Sequence, residues 1–284
     1  MGLLGATSLL GERLIPPLVA GGYRVCAFSR TAPPSDAGAV SWHRLCAESV
    51  AEHGSITRWI CVAPIWVLPE YFKLLERTGA RRIVALSSTS RFTKLVSTDA
   101  AETALAARLT EAEEQLCVWA TGKGIETVIL RPTLIYGWGR DKNITEIARF
   151  VRRFGFFPVF GSALGRRQPI HVDDLTCACM AALQLPVAPN LAYNLSGAEV
   201  LSYRDMVAGV FAALGRRPRL LPVPLWAFRL AVSMLRRLPR YAHWSVAMAE
   251  RMNQDLVFDH HDAARDLAFT PRRFVLAPED MPSR

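Results

Sequence analysis

The feature that most restricts this chain is the turn Gly5-Ala6-Thr7-Ser8-Leu9-Leu10-Gly11. Residues 1–4 supply only a short apolar strand, and residues 12–20 read as a helix with Leu14, Ile15 and Leu18 on one side. The turn therefore falls where a strand hands over to a helix. Gly5 permits a tight turn, the small Ser8 lets backbone N–H groups approach a pyrophosphate, and Gly11 lets the helix pack closely on a sheet. Thr7, Leu9 and Leu10 complete the candidate dinucleotide cradle. Ser8 stands where a third glycine is usual, so an ordinary βα loop is the alternative reading.

Residues 23–29 (YRVCAFS) form the next strand, ending at Ser29-Arg30, about 20 residues after the glycines. An acidic residue there would hold the ribose 2′-hydroxyl of NAD, whereas a guanidinium pairs with the 2′-phosphate of NADP. Arg30 predicts NADP rather than NAD; the alternative is a surface arginine at a strand end.

Further strand-type runs at residues 59–64, 82–88 and 127–130 alternate with helical stretches, which predicts an α/β fold with a doubly wound parallel sheet. In such sheets ligands lie beyond the carboxyl ends of the strands. Ala63-Pro64, Ser87-Ser88-Thr89 and Arg131-Pro132-Thr133 are thus expected to meet the Gly5–Gly11 turn at one crevice, with Ala63, Pro64, Ser87, Pro132 and Thr133 touching the cofactor.

A chain of 284 residues, 51% apolar, can bury a large core, most simply one α/β domain with a smaller appended lobe. The net charge of +9 suits acidic ligands, but the basic residues read as scattered and rarely interleaved with aromatics, so no nucleic-acid partner is expected. Six spread-out cysteines without a CxxC pair read as buried free thiols of a reducing compartment, with no disulfide or metal site. No export leader is visible and no apolar run reaches spanning length, which predicts a cytoplasmic protein.

The ordered set GATSLLG, ALSST, EAEEQL, ILRPTLIYGWGRD and RRQPIHVDDL resembles the extended short-chain dehydrogenase/reductases of the NAD(P)-dependent epimerase/dehydratase family, over nearly the whole chain. The resemblance implies a Rossmann-like domain, expected at residues 1–195, and a smaller substrate lobe at 196–284 with contributions from about 138–170. It also implies a nucleotide-sugar or related phosphorylated substrate.

That family uses Tyr-x-x-x-Lys on the helix after the fifth strand, the lysine and cofactor lowering the tyrosine pKa for proton transfer while hydride moves. Set against the family's acidic run, Glu111-Ala112-Glu113-Glu114 places Leu105 and Leu109 at the Tyr and Lys positions, a pair spaced to pack rather than react. The chain is thus an atypical member by resemblance. Thr89 best matches the family's catalytic hydroxyl, with Ser88 beside it; either orients a carbonyl or merely caps a turn. Tyr136 and His171 are the remaining candidates for proton transfer, each alternatively a packed core residue.

For the substrate, Arg140 and Asn143 follow the Gly137-Trp138-Gly139 loop, and either contact a phosphate or sugar or, through an Arg140–Asp141 network, shape the loop. Arg167 matches, by resemblance, an arginine that holds a nucleotide diphosphate, and Arg251 a second one. Asp173 or Asp174 is expected to cap a helix at 175–183, Asp259 and Asp262 the final helix, leaving His260-His261 in a solvated turn. Residues 225–238 read as a helix mixing aromatics with Arg229, Arg236 and Arg237, which either packs in the lobe or lies on a membrane surface or lipid-like substrate. Two functions from different classes follow: an NADP-dependent oxidoreductase or epimerase, and a non-catalytic NADP-binding module for redox sensing or assembly.

Overall fold

The computed structural model describes residues 1–30, 38–45, 54–94, 99–186, 190–226, 228 and 246–283. Strand β1 (Gly2–Leu4) leads through the glycine turn into α1 (Leu9–Ala20), followed by β2 (Val25–Ser29), β3 (Val40–Arg44) and β4 (Arg58–Cys61). A 3₁₀ run at Ile65–Tyr71 opens α2 (Phe72–Arg77), then come β5 (Arg82–Leu86), α3 (Ser90–Thr93), the long α4 (Ala100–Lys123) and β6 (Glu126–Pro132). Beyond β6 lie β7 (Ile135–Tyr136), α5 (Ile144–Phe154), β8 (Phe157–Phe160), β9 (Arg166–Arg167), β10 (Ile170–His171), α6 (Val172–Gln184) and β11 (Leu191–Leu195). The chain closes with β12 (Leu201–Ser202), α7 (Tyr203–Ala213), β13 (Leu220–Val223), α8 (Val246–Arg251) and α9 (His261–Leu267).

Seven strands form one parallel sheet in the order β11-β6-β5-β4-β1-β2-β3, the expected doubly wound Rossmann-like fold. Strand order reverses between β1 and β4, so their carboxyl ends, at Leu4 and Cys61, open the crevice where such sheets bind ligands. Strand β3 escapes the sequence pattern because it is an edge strand whose residues are half-exposed, with no continuous apolar run.

One face of the sheet packs on α1 and α6 through Leu14, Leu18, Leu175 and Leu183, all fully buried. Each such side chain contributes about 1.5–3 kcal/mol on leaving water. The other face packs on α2 and α4 through Leu74, Leu75, Leu109, Leu116 and Ala120. A separate core joins α5 and α7 through Ile144, Val151, Met206 and Phe211.

Several local expectations are corrected. Helix α6 begins three residues earlier than expected, with His171 rather than an aspartate as N-cap, its ring accepting the Asp173 N–H. His260, not Asp259, holds the N-cap position of α9, while Asp259, one residue earlier, accepts the His261 N–H. Ser202 caps α7, its hydroxyl accepting from the Asp205 N–H. The helix read at 225–238 lies mostly outside the described residues. Cys177 is exposed rather than buried, whereas Cys61 and Cys179 are sealed, and burial pushes both thiols up to about 12. Among the described residues no cluster of His, Cys, Asp or Glu could hold a metal ion, and no helix is long and apolar enough to cross a membrane.

The first turn is a tight backbone approach. A Cβ on Gly11 would stand 2.3 Å from the Gly5 carbonyl oxygen. Gly11→Ala is expected to cost about 1–3 kcal/mol by overpacking, read as a lower urea midpoint with unchanged slope.

Candidate functional site

The crevice is built from the β1 end outward. Gly5 adopts φ +84°, a left-handed conformation open to glycine, and a Cβ there would also meet the Ala63 backbone nitrogen at 2.7 Å. Its N–H and that of Ala6 both donate to the Phe28 carbonyl, so the turn is pinned to β2. The Thr7 and Ser29 hydroxyls meet at 3.0 Å across the same gap. Ser8 is the N-cap of α1 and accepts from the Gly11 N–H at 3.1 Å.

Donor accounting at this helix start is informative. The Ser8 N–H goes to Gly5 O and the Glu12 N–H to Ser8 O. With the Gly11 N–H taken by the Ser8 hydroxyl, the Leu9 and Leu10 N–H groups are left heading the helix dipole toward the crevice. A pyrophosphate suits that pair of donors. Arg30 follows Ser29 at the end of β2 with its side chain exposed, and its field reaches Tyr71 on the other side of β1. Burial and Glu70 push the Tyr71 phenol up, and Arg30 opposes them.

Ala63 and Pro64 leave β4, Ser87, Ser88 and Thr89 leave β5, and Pro132 and Thr133 leave β6, all at the carboxyl edge of the sheet. Thr89 is buried and its hydroxyl donates to the Pro132 carbonyl at 3.2 Å; the Ser88 hydroxyl accepts the Ser90 N–H. Thr133 ties β6 to the loop before β10 through the Gln168 carbonyl. These hydroxyls serve turns in this structure.

Beneath them is a network that sequence reasoning missed. Glu113, almost wholly buried on α4, accepts from the Ser87 hydroxyl, is held bidentately by Arg131 at 2.5–3.1 Å, and pairs with Arg91. It locks α4 against the ends of β5 and β6, directly under the crevice. The run Glu111-Ala112-Glu113-Glu114 hid it, since only burial distinguishes Glu113 from its solvated neighbours.

Helix α4 contains no tyrosine, and its lysine is Lys123 in the last turn. Leu109, at the position the resemblance equates with the lysine, is 3% exposed in the core, with Leu105 packed at its edge. Tyr136 is sealed: its ring lies edge-on to His171 and Phe274, and its hydroxyl has no hydrogen-bond partner among the described residues. Burial, with Asp280 and Asp174 nearby, raises its pKa, so the phenol stays protonated. His171 accepts the Asp173 N–H at Nδ1, which makes Nε2–H the donor to Asp280 at 3.0 Å.

The expected substrate contacts are dispersed and engaged. Arg140 pairs with Glu12 on α1, not with Asp141, while Asp141 accepts the Asn143 and Thr145 N–H groups and so starts α5. Asn143 is exposed at that helix start. Arg167 is buried, its guanidinium donating to the carbonyls of Arg166, Gln254 and Arg251. Arg251 pairs with Glu102 in the first turn of α4. The structure thus brings Arg167 and Arg251 together and leaves Arg140 and Asn143 apart from them.

Residues 71–196 match the NAD dependent epimerase/dehydratase family. The resemblance read from the motifs is borne out. The chain is 30% identical over 120 residues to the UDP-glucose 4-epimerase of Vibrio cholerae, covering 42% of this chain and 37% of that protein. It is 27% identical over 100 residues to an Arabidopsis thaliana protein, NADH dehydrogenase [ubiquinone] 1 alpha subcomplex subunit 9, mitochondrial, covering 35% of this chain and 25% of that one. The matched stretch thus spans between a quarter and a little over a third of these curated relatives' length. Among solved structures, MoeE5 in complex with UDP-glucuronic acid and NAD superposes with a TM-score of 0.70 at 20% identity, covering 98% of this chain and 95% of that one. That likeness establishes the fold.

Two outcomes test the site's framework. Glu113→Ala strands two guanidinium groups in a buried setting and is expected to cost about 3–5 kcal/mol by denaturant titration. Burial alone would raise the Asp280 carboxyl, but hydrogen bonds from His171, the Trp138 N–H and the Ala277 N–H outweigh it and hold it below the usual range. A depressed carboxylate stabilises above its unfolded pKa and loses that contribution as pH falls through the folded one. Asp280→Asn is therefore expected to lower stability at neutral pH and to flatten its decline below about pH 4, followed by thermal melts across pH.

Proposed function

We propose that this chain binds a dinucleotide, NADP in preference to NAD, in the crevice between β1 and β4, and that it has lost the proton-transfer chemistry of the epimerase/dehydratase family. The observation that carries the reading is α4: no tyrosine, a lysine only at its far end, and Leu109 buried in the core. Without an acid–base pair beside the nicotinamide, hydride transfer to or from a sugar carbon has no partner for the hydroxyl proton. Cofactor binding needs none of that machinery. It rests on the Leu9 and Leu10 N–H groups for the pyrophosphate, the close approach at Gly5 and Gly11, the Thr7 and Ser29 hydroxyls, and Arg30 for a 2′-phosphate. The Arabidopsis match, to a protein named as a subunit of a larger complex, supports a binding module.

The second reading is an oxidoreductase or epimerase acting on a nucleotide-sugar or related phosphorylated substrate, in a smaller lobe formed by residues 196–284 with 138–170. What favours it is the pair of relatives whose names carry UDP-sugars. Against it, Thr89 is bonded to a carbonyl, Tyr136 is sealed from solvent, and Arg167 and Arg251 are already engaged.

Fluorescence titration separates the steps. NADPH is expected to bind at least tenfold tighter than NADH, about 1.4 kcal/mol, and Arg30→Glu to abolish the difference; equal affinities in the native chain would remove the NADP assignment. With UDP-glucose, UDP-galactose and 4-keto nucleotide-sugars at saturation, turnover is expected to stay below about 10⁻² s⁻¹, against roughly 10 s⁻¹ for an ordinary enzyme. Rates near the latter would restore the enzymatic reading.

A further inference from the structure

The positive charge of this chain is not scattered, as counting along the sequence suggests. Residues 147–172 and 206–249 contain no Asp or Glu, and hold five and seven arginines respectively. Set against a net charge of +9, these two segments account for all of the surplus and leave the remainder net negative.

The fold places described parts of both segments on one surface. Strand β8 pairs in parallel with β13, Leu220 opposite Phe157, and the Phe157 N–H donates to the Arg219 carbonyl at 2.9 Å. Arg216 donates to the Val151 carbonyl at 2.7 Å, tying the loop before β13 to the end of α5. Around this junction Phe150, Phe154 and Phe156 cluster, with ring centroids 4.6–6.4 Å apart, and the Arg153 guanidinium lies over the Phe154 ring. Phe154 is 50% exposed, Leu221 50% and Trp226 70%. Arg149 is paired with Glu146, and Arg152 with the Pro282 carbonyl. Arg153, Arg217 and Arg219 are exposed and form no ion pair among the described residues.

We infer that this surface docks peripherally on an anionic phospholipid bilayer. Exposed Phe154, Leu221 and Trp226, with Arg153 over the Phe154 ring and Arg217 and Arg219 leading into β13, match an interface in which apolar tips enter the headgroup boundary while guanidinium groups meet lipid phosphates. Leu221 decides between lipid and nucleic acid: an aliphatic side chain gains from hydrocarbon but offers no stacking face to a base. Attachment is superficial, since no helix among the described residues is long and apolar enough to cross a membrane.

The test is co-sedimentation of the full chain with vesicles of phosphatidylcholine alone, or with roughly one-third phosphatidylglycerol. The chain is expected to bind the anionic vesicles at least tenfold better, less so as salt rises. Arg153→Gln and Arg219→Gln are expected to weaken binding about fivefold each, and Trp226→Ala and Leu221→Ala roughly tenfold together. Thermal melts and NADPH titration should remain at native values, because none of these side chains is buried or near the crevice. Should one variant fail to fold, the other three decide the matter. Equal binding to neutral vesicles, native-strength binding by the folded variants, or capture of a single-stranded oligonucleotide in place of anionic vesicles would each overturn the inference.

Discussion

Everything at the working edge of this molecule depends on how closely the start of α1 approaches β1. Gly11 passes so near the Gly5 carbonyl that a single methyl group would clash, and Gly5 itself turns through a left-handed conformation against the backbone of Ala63. That contact fuses three neighbouring elements, β1, α1 and the exit from β4, at the point where strand order reverses. Two loops diverge beyond the strand ends there, and the Leu9 and Leu10 N–H groups head α1 with no hydrogen bond to the described residues. These donors come from backbone geometry, which the serine at position 8 leaves intact by capping the helix.

Two buried carboxylates hold the rest of the site in place. Glu113 gathers Ser87, Arg91 and Arg131 under the crevice, and Asp280 draws the end of the chain back onto Trp138 and His171. Both sit where low dielectric makes a paired charge hold its geometry and an unpaired one costly. Gly139 shows how tightly the tail is seated, since a Cβ there would lie 2.4 Å from the Met281 carbonyl. The polar residues nearest these strand ends thus act as structural ties, and α4 presents leucines where the resemblance places a tyrosine and a lysine.

The arginines illustrate the same division between residue type and residue role. Arg167 and Arg251 are the arginines that the resemblance assigns to a nucleotide diphosphate, yet one donates to three carbonyl oxygens and the other faces Glu102. Arg153, Arg217 and Arg219, exposed and without an ion pair among the described residues, stand at the junction of α5, β8 and β13 near the exposed Phe154. Residue identity alone could not separate the two sets, because a guanidinium satisfies a carbonyl, a carboxylate or a phosphate equally well.

By itself the sequence determined the parallel α/β architecture, the glycine turn and its place between strand and helix, and the lack of a tyrosine–lysine pair, because periodicity, glycine placement and missing residue types are local properties. It did not reveal edge strand β3, whose half-exposed residues leave no apolar run, nor the extra length of α6, whose cap is a histidine. Only tertiary structure decided that Glu113, alone in its acidic run, is buried, that Tyr136 is sealed, and that described parts of two acid-free stretches far apart in the chain pair as β8 and β13. Those facts depend on which distant segments meet, and long-range contact sets burial and pairing where local pattern cannot.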